Sequence, residues 1–390
     1  MPNRKKKKPN LSNTLINPIH QSVAYYFNDT NEVIQYQNNK YSLGRYGRYD
    51  NSSWLEVEQQ LAALDDLEEA LIFPSGMSAI TSVFLTFLKS GDKIIYAKEC
   101  YRNTKKLCKT ILAELNIEAI PISIKNTDKF NETFDYYYDE NVKLIFIESP
   151  SNPHLYMVDF ERIKQKLNKN TLFVVDSTFA TPINFKPKYW GADLVIHSCT
   201  KYLSGHADIL AGSVSGSYYN ISKVRDFRNM TGCIISSQSA SLLSRSLATL
   251  KLRVDYLNTA GLNIAQFLEN NPLVNKVFHT SLPSHPHYLL ANKYLTGHGS
   301  VISFEMNLTK EMVSQFIDAL KIPYMGSNFG SYYSMVEQCS LFTYYNLSTE
   351  EREAIGISDN LVRLSLGFED INAIIDDIKG AFSLVEHYKI

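Results

Sequence analysis

Cysteine is scarce in this 390-residue chain, with five in all at Cys100, Cys108, Cys199, Cys233 and Cys339. The number is odd and no C-x-x-C pair occurs, which excludes a disulfide framework and argues against a thiolate zinc site. Reduced thiols and a cytoplasmic location are the expectation. No apolar run approaches the roughly 20 residues of a membrane span. The opening MPNRKKKKPN carries charge with no apolar stretch after it, so it does not read as a secretory signal. Neither sign of charge dominates: 39 basic residues face 40 acidic ones, a net charge of −1, and no nucleic-acid or membrane partner is implied. The run Lys5 to Lys8 reads as a solvated tail, with polyanion binding the alternative. Also missing are G-x-G-x-x-G after a strand, the G-x-x-x-x-G-K loop and the G-x-S-x-G elbow, so nicotinamide, nucleotide and serine-hydrolase sites have no support.

What is present is an alternation of short apolar runs with helical segments. WLEVEQQLAALDDLEEALI has helical spacing at Leu55, Leu61, Leu64 and Leu67 and predicts one helix. FPSGMSAI follows, a turn at Pro74, Ser75 and Gly76 opening an apolar helix. Backbone N–H groups at such a start can hold a phosphate, though the same pattern serves an ordinary capped helix. Strands are predicted at Lys93–Ala97, Lys143–Ile147, Leu172–Val175 and Leu194–Ile196, and a basic helix from about Tyr101. That alternation predicts a mostly parallel sheet wrapped by helices. Residues 236–270 read as one or two long helices. VISFEM and LVRLSLG read as strands of a second region, ending in an amphipathic helix striped by Ile371, Ile374, Ile375, Ile378 and Phe382.

Three successive strands end in Glu148/Asn152, Asp176 and Lys201, at the edge where open α/β sheets bind ligands. A buried lysine has a lowered pKa and forms Schiff bases with aldehydes. By itself Lys201 also reads as a surface loop lysine. Together with an acidic partner for a ring nitrogen (Asp176) and hydrogen-bond donors for a phosphate (Ser75, Gly76, Met77, Ser198, Thr200), it forms the parts of a pyridoxal phosphate (PLP) site. Tyr101 or another tyrosine is a candidate to stack on the ring. His197 and His206 flank Lys201, but no carboxylate or cysteine completes a metal site, and local hydrogen bonds are expected of them.

At these residues the chain resembles the Cys/Met-metabolism PLP enzymes, the family of cystathionine γ-synthase, cystathionine γ-lyase and methionine γ-lyase. The likeness runs from about residue 13 to the C-terminus through YGRYDNSS, FPSGMSAI, ESPSNP, VVDSTFATP, HSCTKYLSGHADILAG, SLPSHP and LVRLSLGFED, all in family order. The chain resembles the plant-type cystathionine γ-synthases in particular, their CYRKT matching CYRNT here. The resemblance implies a type I PLP-dependent transferase (aspartate aminotransferase-like) fold, α/β, mostly parallel, with a smaller C-terminal α/β domain. Its divisions would be a tail and arm over 1–53, a large PLP-binding domain over 54–250 and a C-terminal domain over 251–390.

It also implies roles. Lys201 is the Schiff-base lysine and proton shuttle, Asp176 pairs with the pyridinium, and Tyr101 stacks on the ring. Gly76, Met77, Ser198 and Thr200 hold the cofactor phosphate, with Ser75 and Thr178 beside them. Tyr46 and Arg48 reach the neighbouring subunit's cofactor, so a dimer or tetramer with shared sites is expected. Asn152 and Arg363 face the substrate carboxylate, helped by Ser334. The implied reaction is γ-replacement on an activated homoserine, with γ-elimination the alternative and a non-catalytic PLP-fold protein the remote one.

Four departures stand out. The family's GNPT is Asp50-Asn51-Ser52-Ser53, which puts the rigidity of that loop in question. The lysine of CYRKT, expected at a distal phosphate, is Asn103, with Arg102, Lys105 and Lys106 nearby. The serine before the leucine-glycine pair is Asn328. The glutamate that would meet a second amino acid's ammonium is Tyr333, beside Tyr332, so an acceptor other than cysteine is expected unless an acid such as Glu337 substitutes.

Overall fold

A computed structural model describes residues 15–38 and 46–386. The Lys5–Lys8 run lies outside them. Seven strands form one sheet: β1 (Glu69–Phe73), β2 (Lys93–Ala97), β3 (Glu118–Ile122), β4 (Val142–Glu148), β5 (Leu172–Asp176), β6 (Leu194–His197) and β7 (Gly212–Gly216). Their spatial order is β1-β7-β6-β5-β4-β2-β3. β7 runs antiparallel to both neighbours and the remaining pairs are parallel. Leu194, Val195 and Ile196 are completely buried, as a strand covered on both faces requires. Hence β6 is a continuous apolar run rather than an alternating one.

Five more strands, β8 (Val274–Phe278), β9 (Val301–Met306), β10 (Tyr324–Met325), β11 (Met335–Gln338) and β12 (Leu361–Ser365), make a second sheet in the order β10-β11-β12-β9-β8. The helices Ser237–Leu247 and Leu250–Glu269 lie between the two sheets in sequence. The helix Ile371–Glu386 buries Ile374, Ile378 and Phe382 against the second sheet, as its stripe predicts.

Two elements differ from the sequence reading. The helix expected through residue 72 spans Ser52–Asp65 and stops at Asp66, whose φ of 56° is left-handed. The Leu67 N–H closes the end by donating to the Ala62 carbonyl at 2.9 Å, a stop in which aspartate takes glycine's usual place. EALIF is therefore free to become β1. β7, GSVSG, has one apolar side chain and gave no strand signal, yet all five residues are buried. A Cβ on Gly212 would sit 2.3 Å from the Ser75 carbonyl oxygen, so glycine lets β7 pass under the Ser75–Gly76 turn.

The missing proline of the 50–53 loop is replaced by a side-chain cap. Asn51 Oδ1 accepts the Ser53 N–H at 2.9 Å while its Nδ2 donates to the His20 carbonyl at 2.9 Å. This cap ties the N-terminal arm to the helix start.

Candidate active site

β4, β5 and β6 are parallel and in register, with Glu148 opposite Asp176 and Asp176 opposite Ile196. Their carboxyl ends thus deliver Glu148, Asp176 and the Ser198–Lys201 turn to one edge. The turn is braced from afar. Arg253 Nη1 donates to the Tyr202 carbonyl at 2.6 Å, and Nη2 to the Leu203 and Ser246 carbonyls at 3.1 and 2.9 Å. A side chain on Gly205 would displace that guanidinium. Nothing in the local sequence marks Arg253 for this work.

Lys201 is half-buried, and its Nζ donates to Asn328 Oδ1 and lies 4.8 Å from the Phe329 ring centre. Burial first, and then the Arg363 guanidinium, push its pKa down to about 8. About a tenth of the amine is then neutral at pH 7, far more than for an ordinary lysine. Asn328, a departure in the sequence, is thus a site residue that the motif reading did not place beside the lysine.

Asp176 accepts the Thr178 N–H at 3.0 Å and the Thr178 hydroxyl at 2.6 Å, both on Oδ1. Among the described residues Oδ2 carries no hydrogen bond. Burial raises the Asp176 pKa against those bonds. Glu148 beside it is pushed up to about 8, by burial first and by the Asp176 charge second. Its Oε2 accepts the Tyr101 N–H at 2.7 Å. Behind them His197 bonds Asp65 at 2.9 Å, both fully buried. Burial works against the protonated ring, but Asp65 and Asp176 outweigh it and leave the His197 pKa raised. His206 bonds the Ser204 carbonyl. Two buried carboxyl groups thus share one strand edge, with His197 on the Asp176 side and Lys105 acting on Glu148.

The turn above β7 offers anion donors. Ser75 caps the helix Gly76–Phe87, accepting the Ser78 N–H at 3.0 Å, so the first backbone N–H groups at Gly76 and Met77 face outward from the helix start. A Cβ on Gly76 would lie 3.0 Å from Ser198 Cβ, a cradle only glycine leaves open. Thr178 is a support here: its hydroxyl also accepts the Ser198 N–H at 2.8 Å. The Thr200 side chain exchanges hydrogen bonds with Ala211, at 2.9 Å from the Ala211 N–H. Tyr101 is 39 % exposed at the head of the helix Arg102–Leu107, and its hydroxyl accepts from Asn103 Nδ2 at 3.2 Å.

The substrate side is assembled from distant residues. Arg363 on β12 is buried; its Nη1 donates to Asn152 Oδ1 at 2.9 Å and its Nη2 to the Ser327 carbonyl at 2.5 Å. Glu337, directly across on β11, pairs with Nη2 at 2.8 Å. Five N–H donors leave the fork capacity for a carboxylate. Ser334 does not join this cluster. Its hydroxyl donates to Glu369 at 2.8 Å and accepts the Gly367 N–H at 2.9 Å, because the 366–369 turn packs over the start of β11. Tyr333 stands edge-on to Tyr324 and Tyr332. Arg102 donates to the Thr343 carbonyl at 3.3 Å. Tyr46 and Arg48 meet each other, Tyr49 and the Asn229 carbonyl, and not Lys201, Asp176 or Arg363.

An amine with depressed pKa, a buried carboxylate with an open oxygen, a helix-start anion cradle and a partly exposed tyrosine fit PLP in its aldehyde, ring-nitrogen, phosphate and ring-face contacts. The comparisons agree. Cystathionine gamma-synthase 1, chloroplastic, of Nicotiana tabacum is 37% identical over 376 residues, 96% of this chain and 69% of that one. L-methionine gamma-lyase of Fusobacterium nucleatum is 32% identical over 378 residues, 95% of this chain and 94% of that one. The crystal structure of cystathionine gamma synthase from Xanthomonas oryzae pv. oryzae in complex with cystathionine superposes with a TM-score of 0.88 at 28% identity, covering 95% of this chain and 94% of the other. With the model for Cys/Met metabolism PLP-dependent enzymes matching residues 2–383, the chain belongs to that family and takes pyridoxal 5'-phosphate as its cofactor.

Proposed function

We propose that the chain catalyses γ-replacement on an activated homoserine, joining it to a nucleophile without a distal ammonium, such as a simple thiol, sulfide or carbon nucleophile. The observation that carries the reading is the convergence of Lys201, the Asp176–Glu148 pair and the Arg363–Asn152 fork on one sheet edge. γ-Synthases and γ-lyases both occur among the relatives, and γ-elimination is the second reading.

When bound, PLP supplies an electron sink for charge developing at the substrate's Cα and Cβ. The chain's residues supply the rest. Asp176, its Oδ1 fixed by Thr178, would hold the ring nitrogen and favour a positive charge there. Gly76, Met77 and Ser198 would hold the phosphate. Arg363 and Asn152 bind the amino-acid carboxylate and orient the Cα–H bond. Lys201 Nζ, with a pKa of about 8, takes and returns protons at Cα and Cβ, and Asn328 holds it between them.

The acceptor preference rests on charge. The family glutamate is Tyr333, and Glu337 is fully buried against Arg363 and Thr343, so it is not available to an incoming ammonium. A homo-oligomer with shared sites is part of the reading, supported by Tyr46 and Arg48 meeting Tyr49 and the Asn229 carbonyl rather than Lys201, Asp176 or Arg363. Mixing Arg48→Ala with Lys201→Ala subunits should recover activity in hybrids, and no recovery would count against sharing. A cytoplasmic location is part of the reading, since the five cysteines are free thiols.

Mass spectrometry of reactions pairing O-acetyl-, O-succinyl- or O-phosphohomoserine with a panel of thiols and carbon nucleophiles tests the function. Replacement products are expected. Release of only α-keto acid and ammonia with every nucleophile would install the second reading.

A further inference from the structure

Where the carboxyl ends of β2 and β3 meet the 344–357 segment between β11 and β12 lies a cleft lined by Lys98, Lys105 and Lys125, with Glu99, Asn152 and Tyr344. Three lysines and one carboxylate, Glu99, line it, all four charges acting on one another around Lys125, while Lys105 also acts on the Glu148 carboxyl. Glu99 is already engaged: its Oε1 accepts the Ser123 hydroxyl at 2.6 Å and its Oε2 the Ile124 N–H at 2.8 Å. Among the described residues none of the three amines carries a hydrogen bond or an ion pair, whereas Lys93, Lys186 and Lys293 each pair with an aspartate or glutamate. Burial lowers the Lys125 pKa, Lys98 and Lys105 lower it further, and Glu99 opposes them. The cluster is thus a local excess of positive charge held in a concave, partly desolvated place.

The backbone is shaped to admit this. Gly356 has a φ of 82°, and a Cβ there would lie 2.7 Å from Lys125 Nζ, so glycine lets the segment close over the amine. Asn152 is a wall shared with the substrate side, since its Oδ1 accepts from Arg363. Burial pushes the Tyr344 phenol up, leaving its hydroxyl a protonated donor.

We propose that this cleft binds a phosphate-sized oxyanion, held by Lys98, Lys105 and Lys125 and separate from the cofactor's phosphate cradle at Gly76. Three compact point charges from different directions suit a tetrahedral dianion rich in acceptors, whereas a planar carboxylate is served by an arginine fork. The anion joins the large sheet's edge to the 344–357 segment and relieves the repulsion among the amines. Two sources share this chemistry: free inorganic phosphate, and the phosphoryl group of a phosphorylated homoserine, the latter resting on the γ-replacement reading.

Calorimetric titration of the PLP-loaded enzyme with inorganic phosphate at low ionic strength tests the site, because the cofactor then fills its own cradle. Saturable binding at one site per chain is expected. Lys98→Met/Lys125→Met should weaken it by about 100-fold, roughly tenfold for each ammonium group removed. Lys98→Glu, an exposed position whose substitution leaves the core untouched, should weaken it comparably, and Lys109→Met on the outer surface should not. No binding to wild type up to about 20 mM, or equal binding by wild type and these cleft variants, overturns the proposal. Steady-state kinetics separates the sources. A KM for O-phosphohomoserine raised about tenfold or more in the cleft variants, with that for O-acetylhomoserine unchanged, assigns the cleft to the substrate's phosphoryl group. Loss of phosphate binding with both KM values unchanged assigns it to free phosphate. If neither ester turns over, the γ-replacement reading fails while the titration still decides the site.

Discussion

The two halves of the site are built differently. The cofactor half stands on strand ends: Asp176, Thr178, Ser198 and Lys201 lie within one stretch of 26 residues and brace one another through short-range hydrogen bonds. The substrate half is held by contacts across the chain, Lys201 to Asn328 over 127 positions and Arg363 to Asn152 over 211. The first is fixed by the register of a buried parallel sheet, which tolerates little variation. The second depends on how the second sheet and the 327–334 loop seat against the first. All four departures from the family pattern lie outside the cofactor half's strand ends, and two of them, Asn328 and Tyr333, fall in that one loop. Chemistry is thus set by the sheet edge, and selectivity by the loop laid over it.

The largest effects should come from the cofactor half. Lys201→Ala removes the amine that carries protons at Cα, and kcat should fall by about 1000-fold or more. The same variant should lose the borohydride-fixable visible band of the purified protein; an unchanged spectrum would refute the assignment.

Arg363→Ala strikes both sheets at once. Loss of a charge-assisted fork should raise KM for the homoserine substrate by about 10- to 100-fold. It also leaves Glu337 buried and unpaired, which should lower stability by about 3–5 kcal/mol in denaturant unfolding. Arg363→Met/Glu337→Met sharpens the comparison. It should recover most of that stability and none of the KM, because an apolar pair of similar volume replaces a buried ion pair at little cost.

Glu148 tests the carboxylate pair by pH. Its folded pKa of about 8 lies above the ordinary 4.5, so the native protein holds a proton that the unfolded chain has released between those values. Stability of the cofactor-free protein should therefore fall as pH rises from about 5 to 8. Glu148→Gln should flatten that slope in thermal melts, and a slope unaltered by the change would locate the titration elsewhere.

Much of the cofactor half was legible because its signals are local: an apolar run that stops, then a residue that does chemistry. β6, β5 and β4 end within a residue or two of where their apolar runs end. β1 was hidden by helical spacing that runs on past the left-handed Asp66, and β7 by a composition of glycine and serine that packing, not hydropathy, requires. The substrate half was legible only through family motifs, and imperfectly. Ser334 is spent on Glu369, and Thr178 and Thr200 brace the turn with their hydroxyls. Arg253, Asn328 and the Asp65 partner of His197 have no short-range signature, since each acts on a residue more than 40 positions away.

In the selectivity loop, Tyr333→Glu should raise the specificity constant for cysteine relative to a simple thiol by about tenfold, the low end of what one charge-assisted contact provides. If wild type already prefers cysteine and the variant does not improve it, the loop does not set the acceptor.

The smallest effect is expected where the two halves touch. Asn328 Oδ1 accepts from Lys201 Nζ, and an acceptor on an amine favours its charged form. Asn328→Ser replaces the carboxamide with a hydroxyl one bond closer to the backbone, so the acceptor withdraws from the amine. The Lys201 pKa, already held at about 8 by burial and Arg363, should then drop further. A proton acceptor of lower pKa is neutral at lower pH, so the acid limb of the kcat profile should move downward by less than about one unit, with kcat at the plateau changed only a few-fold. KM for the homoserine substrate should stay constant, because Arg363 and Asn152 are untouched. A limb that moves upward would mean that Asn328 stabilises the neutral amine. A changed KM with an unmoved limb would mean that Asn328 contacts substrate rather than lysine, and the loop's reach into the cofactor half would end short of Lys201.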